Sequence, residues 1–185
     1  MGMRQRFLVL IFLVLVLFPL TSLSQDFGYK GAAFGGAGYG RFAEDEGLLG
    51  TGLTYRAGAE WRFSRRGALE GELYGIHFTR KDYFRVNGDT QFVLANALFY
   101  FSRSNIQPYL KGGIGLHSSR YSFSWPSSSS TLYDRSTSGV AVGFGAGVKV
   151  FVNRRWSVNP DFRIIGAEGL YSLFGYFSVC AGYHW

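Results

Sequence analysis

Hydrophobic and polar residues alternate with a period of two over long stretches of the chain, most clearly in residues 139–152. Side chains that point the same way in an extended chain lie two positions apart, so this alternation predicts a β-strand. Soluble strands most often have about 5–6 residues, whereas a tilted transmembrane strand needs about 9–11. The run has the length of a membrane strand. One face would carry Val140, Val142, Phe144, Ala146, Val148, Val150 and Val152, and the other Gly139, Ala141, Gly143, Gly145, Gly147, Lys149 and Phe151.

The same pattern recurs along the chain and predicts eight strands. It is clean in residues 55–63, 156–164 and 171–185, and less regular near 29–42, 68–79, 90–102 and 106–118. Pro160 cannot donate to a ladder, so we expect a bulge or weak pairing there. Residues 92–101 are apolar on both faces except for Asn96, which leaves the facing of the fourth strand open.

The connections between these strands alternate in length. The turns at 65–67, 103–105 and 153–155 are short, whereas the segments 43–50, 80–89 and 119–138 read as longer loops, and 167–170 is short again. Short periplasmic turns and longer outer loops are typical of outer-membrane barrels. We therefore predict an all-β fold, an eight-stranded antiparallel transmembrane up-and-down β-barrel.

The first segment has the features of a secretory signal peptide. Arg4 and Arg6 precede the twelve apolar residues 7–18, which fit an h-region of about 7–15 residues, whereas a retained spanning anchor needs about 20. Ser22 and Ser24 supply small residues for cleavage before Gln25. We predict a signal peptide over 1–24 and a barrel domain over 25–185.

The charges decide which face of the barrel meets lipid. A soluble lipocalin-type barrel is apolar inside, whereas a membrane barrel is apolar outside. On the four clean strands the apolar face carries no charge, and the other face carries fewer lysines and glutamates than a solvated outer surface usually does, which favours the membrane barrel. An interior of eight strands is just wide enough for side chains to fill, so we expect a lumen plugged by paired charges. The charged lumen residues would be Arg56, Glu60, Arg62, Glu70, Glu72, Lys111, Lys149, Asp161 and Arg163.

Hairpin geometry predicts individual pairs within this set. A three-residue loop with Gly67 in the left-handed conformation would place Arg62 opposite Glu70 and Glu60 opposite Glu72. The corresponding loop at 153–155 would place Phe151 opposite Ser157 and Lys149 diagonal to Asp161.

Composition narrows the chemistry that the chain can support. The net charge of +7 falls to +5 without Arg4 and Arg6, and the basic residues are scattered, so no nucleic-acid partner is expected. Cys180 is the only cysteine, which excludes an intrachain disulfide and a cysteine-based metal site. The glycines at 143, 145 and 147 continue a strand, so they do not form a nucleotide loop. We expect no cofactor and no metal.

One pair of residues resembles a catalytic arrangement. His117 and Ser119 have the spacing of the His and Ser of some outer-membrane lipid A deacylases, but no acid is positioned to orient the histidine. We expect no catalytic residues and no enzymatic activity, with a lipid-modifying enzyme as the alternative.

The C-terminal strand resembles the assembly signal of outer-membrane barrels. It ends at an aromatic residue preceded by apolar residues at every second position, namely Phe177, Val179, Ala181, Tyr183 and Trp185. With residues 107–115 and 143–151, which are similar to the fifth and sixth strands of the family, the chain resembles the OmpA-type, porin-family outer membrane protein β-barrel domains. The resemblance implies a bacterial outer-membrane location, contact with outer-membrane lipid and insertion by the barrel-assembly machinery.

A barrel of this kind has few possible functions. We expect a structural or surface-interaction role for a monomer, with any extracellular ligand bound at the loops 80–89 and 119–138. The alternatives are the lipid A deacylase-like enzyme and a narrow channel for a small solute.

Overall fold

The alternating segments form a closed barrel in which each strand pairs with the next and β1 pairs with β8. A computed structural model describes residues 28–43, 51–81, 85–124 and 131–185. This architecture confirms the fold predicted from the sequence. The strands are β1 (Gly31–Ala43), β2 (Thr51–Arg62), β3 (Gly67–Lys81), β4 (Arg85–Tyr100), β5 (Ile106–Ser124), β6 (Thr131–Phe151), β7 (Trp156–Ala167) and β8 (Leu170–His184).

The barrel is apolar outside and polar inside. Phe144 is 72% exposed on the outer wall, whereas Arg163 is fully buried in the lumen. On β4, Asn96 points inward, which settles the facing of the strand that the sequence left open. Burying charges while leaving phenylalanines exposed is favourable only if the outer wall meets hydrocarbon.

The apolar outer band has the height of a bilayer core. On β5 it runs from Ile106 to Leu116, after which Ser118 and Arg120 are exposed. Ten residue steps of about 3.3 Å, tilted by about 40°, span about 25 Å, the height expected for a membrane barrel. The turns 63–66, 101–105 and 152–155 close the barrel directly below this band. We assign this end as periplasmic because outer-membrane barrels have short periplasmic turns.

Exposed aromatic rings mark the periplasmic edge of the band. Such rings typically form a girdle at the membrane–water interface. Here they are Trp61, Phe63, Phe99, Phe101, Trp156, Tyr183 and Trp185.

The prediction of long loops at 80–89 and 119–138 is wrong. Most of both segments is strand: β3 continues to Lys81, β4 starts at Arg85, β5 continues to Ser124 and β6 starts at Thr131. Serine, threonine and charged residues interrupt the apolar alternation in these segments, which removes the hydrophobic signal for a strand, but above the membrane the backbone hydrogen bonds of the ladder still hold the strands together. Extended strands therefore replace the expected loops.

The prediction for the turn after β2 is also wrong. The turn spans four residues, 63–66, in which the N–H groups of Phe63 and Ser64 donate to the Gly67 carbonyl. Gly67 does not have a positive φ. Arg62 therefore lies opposite Ala68, and Glu60 lies opposite Glu70, a shift of two residues from the predicted register.

The predictions for the turn after β6 and for Pro160 are confirmed. Phe151 lies opposite Ser157 as expected. The β6–β7 ladder is interrupted between Gly147 and Val150, where Pro160 would have to pair, which is the weak pairing predicted there. The β7–β8 connection is short and contains Gly169 with φ 74°, a left-handed conformation that favours glycine.

The signal-peptide prediction concerns residues 1–24, which lie outside the described residues. Within the described ranges, no helix is long and apolar enough to cross a membrane.

Candidate functional site

The middle of the lumen is filled by a central ion-pair cluster, which draws side chains from four strands. Its six members are Arg56 on β2, Glu70 and Glu72 on β3, Lys111 on β5, and Asp161 and Arg163 on β7. Three cations face three carboxylates, so the cluster is balanced in charge. Buried charges of this kind are tolerated only when they are paired and hydrogen-bonded.

Arg56 and Lys111 each bridge several carboxylates of this cluster. The Nε atom of Arg56 lies 2.9 Å from Glu72, and its terminal nitrogens lie 3.2 Å from Glu70 and 3.4 Å from Asp161. Lys111 Nζ lies 3.1 Å from Asp161 and 3.4 Å from Glu72. Arg163 Nη1 donates to Glu72 at 2.5 Å. The four strands are thus cross-linked through the interior.

Two polar neighbours complete the hydrogen bonding of the central cluster. Asn96 on β4 donates to Glu70 at 3.0 Å and to Glu72 at 2.9 Å, and it accepts a hydrogen bond from Arg163. Tyr109 donates to Asp161 at 2.6 Å. Glycine makes room for these groups: a Cβ at position 113 would lie 2.0 Å from Asn96 Oδ1, and one at 143 would lie 2.8 Å from Arg163 Nε.

A second group, the periplasmic ion-pair cluster, lies below the first and consists of Glu60, Arg62 and Lys149 with Tyr29 and Tyr100. Lys149 Nζ lies 2.7 Å from Glu60, which also accepts 2.7 Å hydrogen bonds from both tyrosine hydroxyls. The Arg62 guanidinium lies over both tyrosine rings, 4.1 and 4.0 Å from their centroids. Burial raises the pKa of the Tyr29 hydroxyl, which lies before β1, so this hydroxyl stays a hydrogen-bond donor.

An aromatic cap closes the lumen on the extracellular side of the central cluster. Tyr74 and Tyr176 stack with ring centroids 4.2 Å apart, and Phe174 and Phe92 pack beside them. The buried members of the cap are Tyr74, Ile76, Phe78, Phe92, Leu94, Tyr121, Ala141, Ile165, Phe174 and Tyr176. This layer consists mostly of aromatic rings and aliphatic side chains, which solvate an ion poorly.

The space left between the two clusters is very small. A cavity bordered by Arg56, Glu70, Tyr109 and Lys149 has a volume of about 10 Å³. This is room for about one water molecule. Side chains therefore fill most of the lumen between the two clusters.

The structure places all nine predicted charges inside the barrel but pairs some of them differently. Lys149 pairs with Glu60, not with Asp161, because the long lysine side chain reaches across the lumen. Arg62 lies 3.5 Å from Glu60 and donates to Gln107, and it does not pair with Glu70, since the register is shifted by two.

The polar partners of the charges were not predicted from the sequence. Tyr29, Asn96, Tyr100 and Tyr176 all hydrogen-bond to buried carboxylates. Asn96 had a detectable signal, because a single amide in a ten-residue apolar run is costly unless it is paired. The tyrosines gave no such signal, since tyrosine is also common in the aromatic girdle on the outside of a barrel.

His117 and Ser119 both face the lumen and are buried. The Nδ1 atom of His117 contacts the Gly139 carbonyl at 3.1 Å. No carboxylate of the described residues hydrogen-bonds to His117.

The residues of the proposed assembly signal lie on the outer face of β8. Phe177, Val179, Tyr183 and Trp185 expose between 37% and 62% of their surface, and Ala181 alternates with the buried Cys180 in the same way. Their role in assembly stays a prediction.

Above the apolar band, β5 and β6 continue as a paired hairpin, with Ser119 opposite Thr137 and Tyr121 opposite Arg135. Strand β7 pairs with β6 only from Ala141 onward. Among the described residues, the β6 segment above Val140 therefore forms no ladder with β7, although Gly169 in the β7–β8 turn lies close to the Thr137 side chain. We call this segment, residues 131–138, the open edge of β6.

Comparisons with known proteins agree with this architecture. The family model for the outer membrane protein beta-barrel domain matches residues 10–184. No curated protein sequence matches the chain. Among solved structures, Ail, the attachment invasion locus protein of Yersinia pestis, is 15% identical, with a TM-score of 0.62 over 85% of this chain and 99% of its own.

Two further structures have the same fold. Neisserial surface protein A is 16% identical, with a TM-score of 0.65 over 84% of this chain and 97% of its own. The N-terminal β-barrel domain of Pseudomonas aeruginosa OprF is 14% identical, with a TM-score of 0.55 over 85% of this chain and 99% of that domain. At these identities the likeness concerns the fold. Because the family model covers most of its length, this chain belongs to the outer membrane protein beta-barrel domain family and is a protein of the bacterial outer membrane.

Proposed function

We propose that the protein is a surface-interaction protein, in which the barrel is a membrane anchor and the extracellular extension of β5 and β6 is the part that binds. The observation that carries the proposal is a closed lumen combined with a strand hairpin that continues well above the lipid band. A side-chain-filled lumen argues against a channel, and a polar extension is not needed to span the bilayer.

The open edge of β6 gives this extension a way to bind. The backbone groups of Val140 face the β7 side, where its carbonyl accepts from the Glu168 N–H at 2.8 Å. Backbone groups of every second residue point the same way, so those of Ser138, Ser136 and Asp134 face the open edge. An extended segment of a partner could add to these groups as a further strand.

Charges on this extension limit non-specific pairing. Asp134 and Arg135 are both exposed next to the edge. Charged side chains on an edge strand oppose pairing with the edge of another molecule and so prevent aggregation. A partner with complementary charges would be favoured over a second copy. The name of Ail refers to attachment, and that of Neisserial surface protein A refers to a surface. Both names are compatible with a surface-interaction role for this chain.

A bacterial attachment assay tests the proposal. Cells displaying the protein should adhere to epithelial monolayers more than cells with an empty vector. Ser136→Pro removes an edge-facing N–H without removing a β5–β6 bond, so it should abolish the gain. Ser136→Ala keeps the N–H and should leave attachment unchanged.

The control for this assay is the amount of folded barrel in the outer membrane, which must be equal for all variants. No gain in attachment from correctly inserted protein would contradict the surface-interaction role. Equal attachment by Ser136→Pro and Ser136→Ala would contradict binding at the open edge.

A further inference from the structure

A groove of about 910 Å³ crosses the lipid-facing wall over β2–β5. Its floor is made of small outward-facing residues from neighbouring strands, and Trp61, Leu69 and Ile114 project beside it with 50–62% of their surface exposed. The volume lies in the range of small-ligand sites. The floor residues are Ala59, Gly71, Ala95, Ala97 and Gly112.

Strand register makes this floor continuous. Ala59 lies opposite Gly71, which lies opposite Ala95, and Ala97 lies opposite Gly112. Because none of these residues carries more than one side-chain carbon, the barrel surface is recessed here. The recess faces hydrocarbon, so an apolar chain is the chemistry that it accepts.

The periplasmic end of the groove is strongly basic. Lys30 and Trp185 line the groove itself. Arg65 and Arg66 lie in the turn 63–66, directly after the strand that carries Trp61, and both are exposed. None of these three cations has an ion-pair partner among the described residues, and the described periplasmic turns contain no acidic side chain.

We propose that this groove binds one acyl chain of an anionic phospholipid of the periplasmic leaflet, with the headgroup phosphate against Lys30, Arg65 and Arg66. Clusters of basic residues at a membrane surface attract anionic lipids. The recess holds the chain at the height where these cations meet the headgroup layer, so shape and charge select the same ligand. The site lies at the opposite end of the barrel from the open edge of β6 and is independent of it.

Charge also argues against a second copy of the chain as the occupant. A two-fold dimer is isologous, so groove packed on groove would bring the three cations of one copy toward the same three of the other. Like charges would then face each other at the headgroup layer, which opposes association. A lipid phosphate neutralises the same cations.

Fluorescence quenching measures the headgroup preference. Trp61 and Trp185, which both line the groove, are kept as the only tryptophans by changing Trp125 and Trp156 to Phe. The protein is refolded into phosphatidylcholine vesicles that contain either brominated phosphatidylglycerol or brominated phosphatidylcholine. We expect the anionic lipid to quench these two tryptophans with a relative association constant about fivefold higher, the effect of about one well-placed cation at a membrane surface.

Two arginine pairs provide a matched control. Arg65→Gln with Arg66→Gln should remove most of this preference. Arg154→Gln with Arg155→Gln removes the same charge from the exposed β6–β7 turn, which contributes no residue to the groove lining, and should leave it unchanged. Equal quenching by the two lipids, or equal effects of the two arginine pairs, would overturn the proposal.

A second pair of variants tests whether the groove binds an acyl chain. A Cβ added at Gly71 meets no atom within 4 Å, so Gly71→Leu should fill the groove without disturbing the barrel. Gly175→Leu is the control, a glycine on the outer face of β8 whose added Cβ has its nearest neighbour at 4.0 Å. Native mass spectrometry after detergent extraction should find phospholipid retained by the wild type and by Gly175→Leu, and lost from Gly71→Leu. Retention by Gly71→Leu, or a lipid-free dimer of the wild type, would overturn the proposal.

Discussion

Removing the charge of Glu72 should destabilise the barrel strongly, because this carboxylate joins more partners than any other in the described lumen. Glu72→Gln keeps the size of the side chain but leaves three buried cations facing two carboxylates. The groups that contact Glu72 are Arg56 at 2.9 Å, Asn96 at 2.9 Å, Tyr176 at 3.0 Å, Lys111 at 3.4 Å and Arg163 at 2.5 Å.

The expected size of the effect follows from burial. Breaking a fully buried ion pair by removing one partner costs about 3–5 kcal/mol, mostly because the other charge stays buried. The His77–Asp89 pair provides the matched control: its atoms lie 2.7 Å apart, but the side chains are 62% and 67% exposed. Asp89→Asn makes the same carboxyl-to-amide change and should cost at most about 1 kcal/mol.

Urea unfolding in lipid vesicles, followed by tryptophan fluorescence, gives the free energy of unfolding for both variants. Unfolding and refolding curves must coincide for the comparison to hold. The double variant Glu72→Gln with Lys111→Met restores the charge balance and should recover part of the loss. If Glu72→Gln costs no more than Asp89→Asn, the central cluster does not stabilise the barrel in the way argued above.

Three further predictions concern the wall, the lumen and processing. Phe144 lies opposite Gly112, near the middle of the apolar band, so Phe144→Arg should cost about 2–4 kcal/mol and impair insertion, as measured by the yield of folded protein in vesicles. Planar-bilayer recordings should detect no large, stable channel, and steady porin-sized currents from homogeneous protein would contradict the closed lumen. The intact mass of protein purified from membranes should correspond to a chain that starts at Gln25, and a mass that retains residues 7–18 would contradict the signal peptide.

The sequence was sufficient for the fold and for the inside-out facing of the strands. A period of two assigns every residue of a strand to one face, so placing Arg56 and Lys149 in the lumen required no knowledge of the pairing. A register shift of two residues, as after β2, preserves the facing and changes only the partners. This is why Glu70 was correctly placed inside but assigned the wrong cation.

The pairs themselves could not be predicted because they are not local. Lys149 reaches Glu60 across the lumen, and no spacing along the chain records that contact. The extracellular extension and the lipid-facing groove were missed for related reasons. Polar strands such as 131–138 lack hydrophobic alternation, and the small residues of the groove become a recess only when four strands bring them side by side.

A cysteine scan along β6 tests most directly whether this barrel presents its apolar face to lipid and its charges to a closed interior. Single cysteines at positions 140, 141, 142, 144 and 146 are introduced in a Cys180→Ser background, and each is treated with a lipid-soluble and with a water-soluble thiol probe. The inward-facing glycines 143 and 145 are left unchanged, because an added Cβ there would lie 2.8 and 2.6 Å from neighbouring atoms. We expect positions 140, 142, 144 and 146 to react with the lipid-soluble probe alone, and position 141 to be shielded from both. Reaction of position 144 with the water-soluble probe, or a reactivity that does not alternate, would contradict this arrangement.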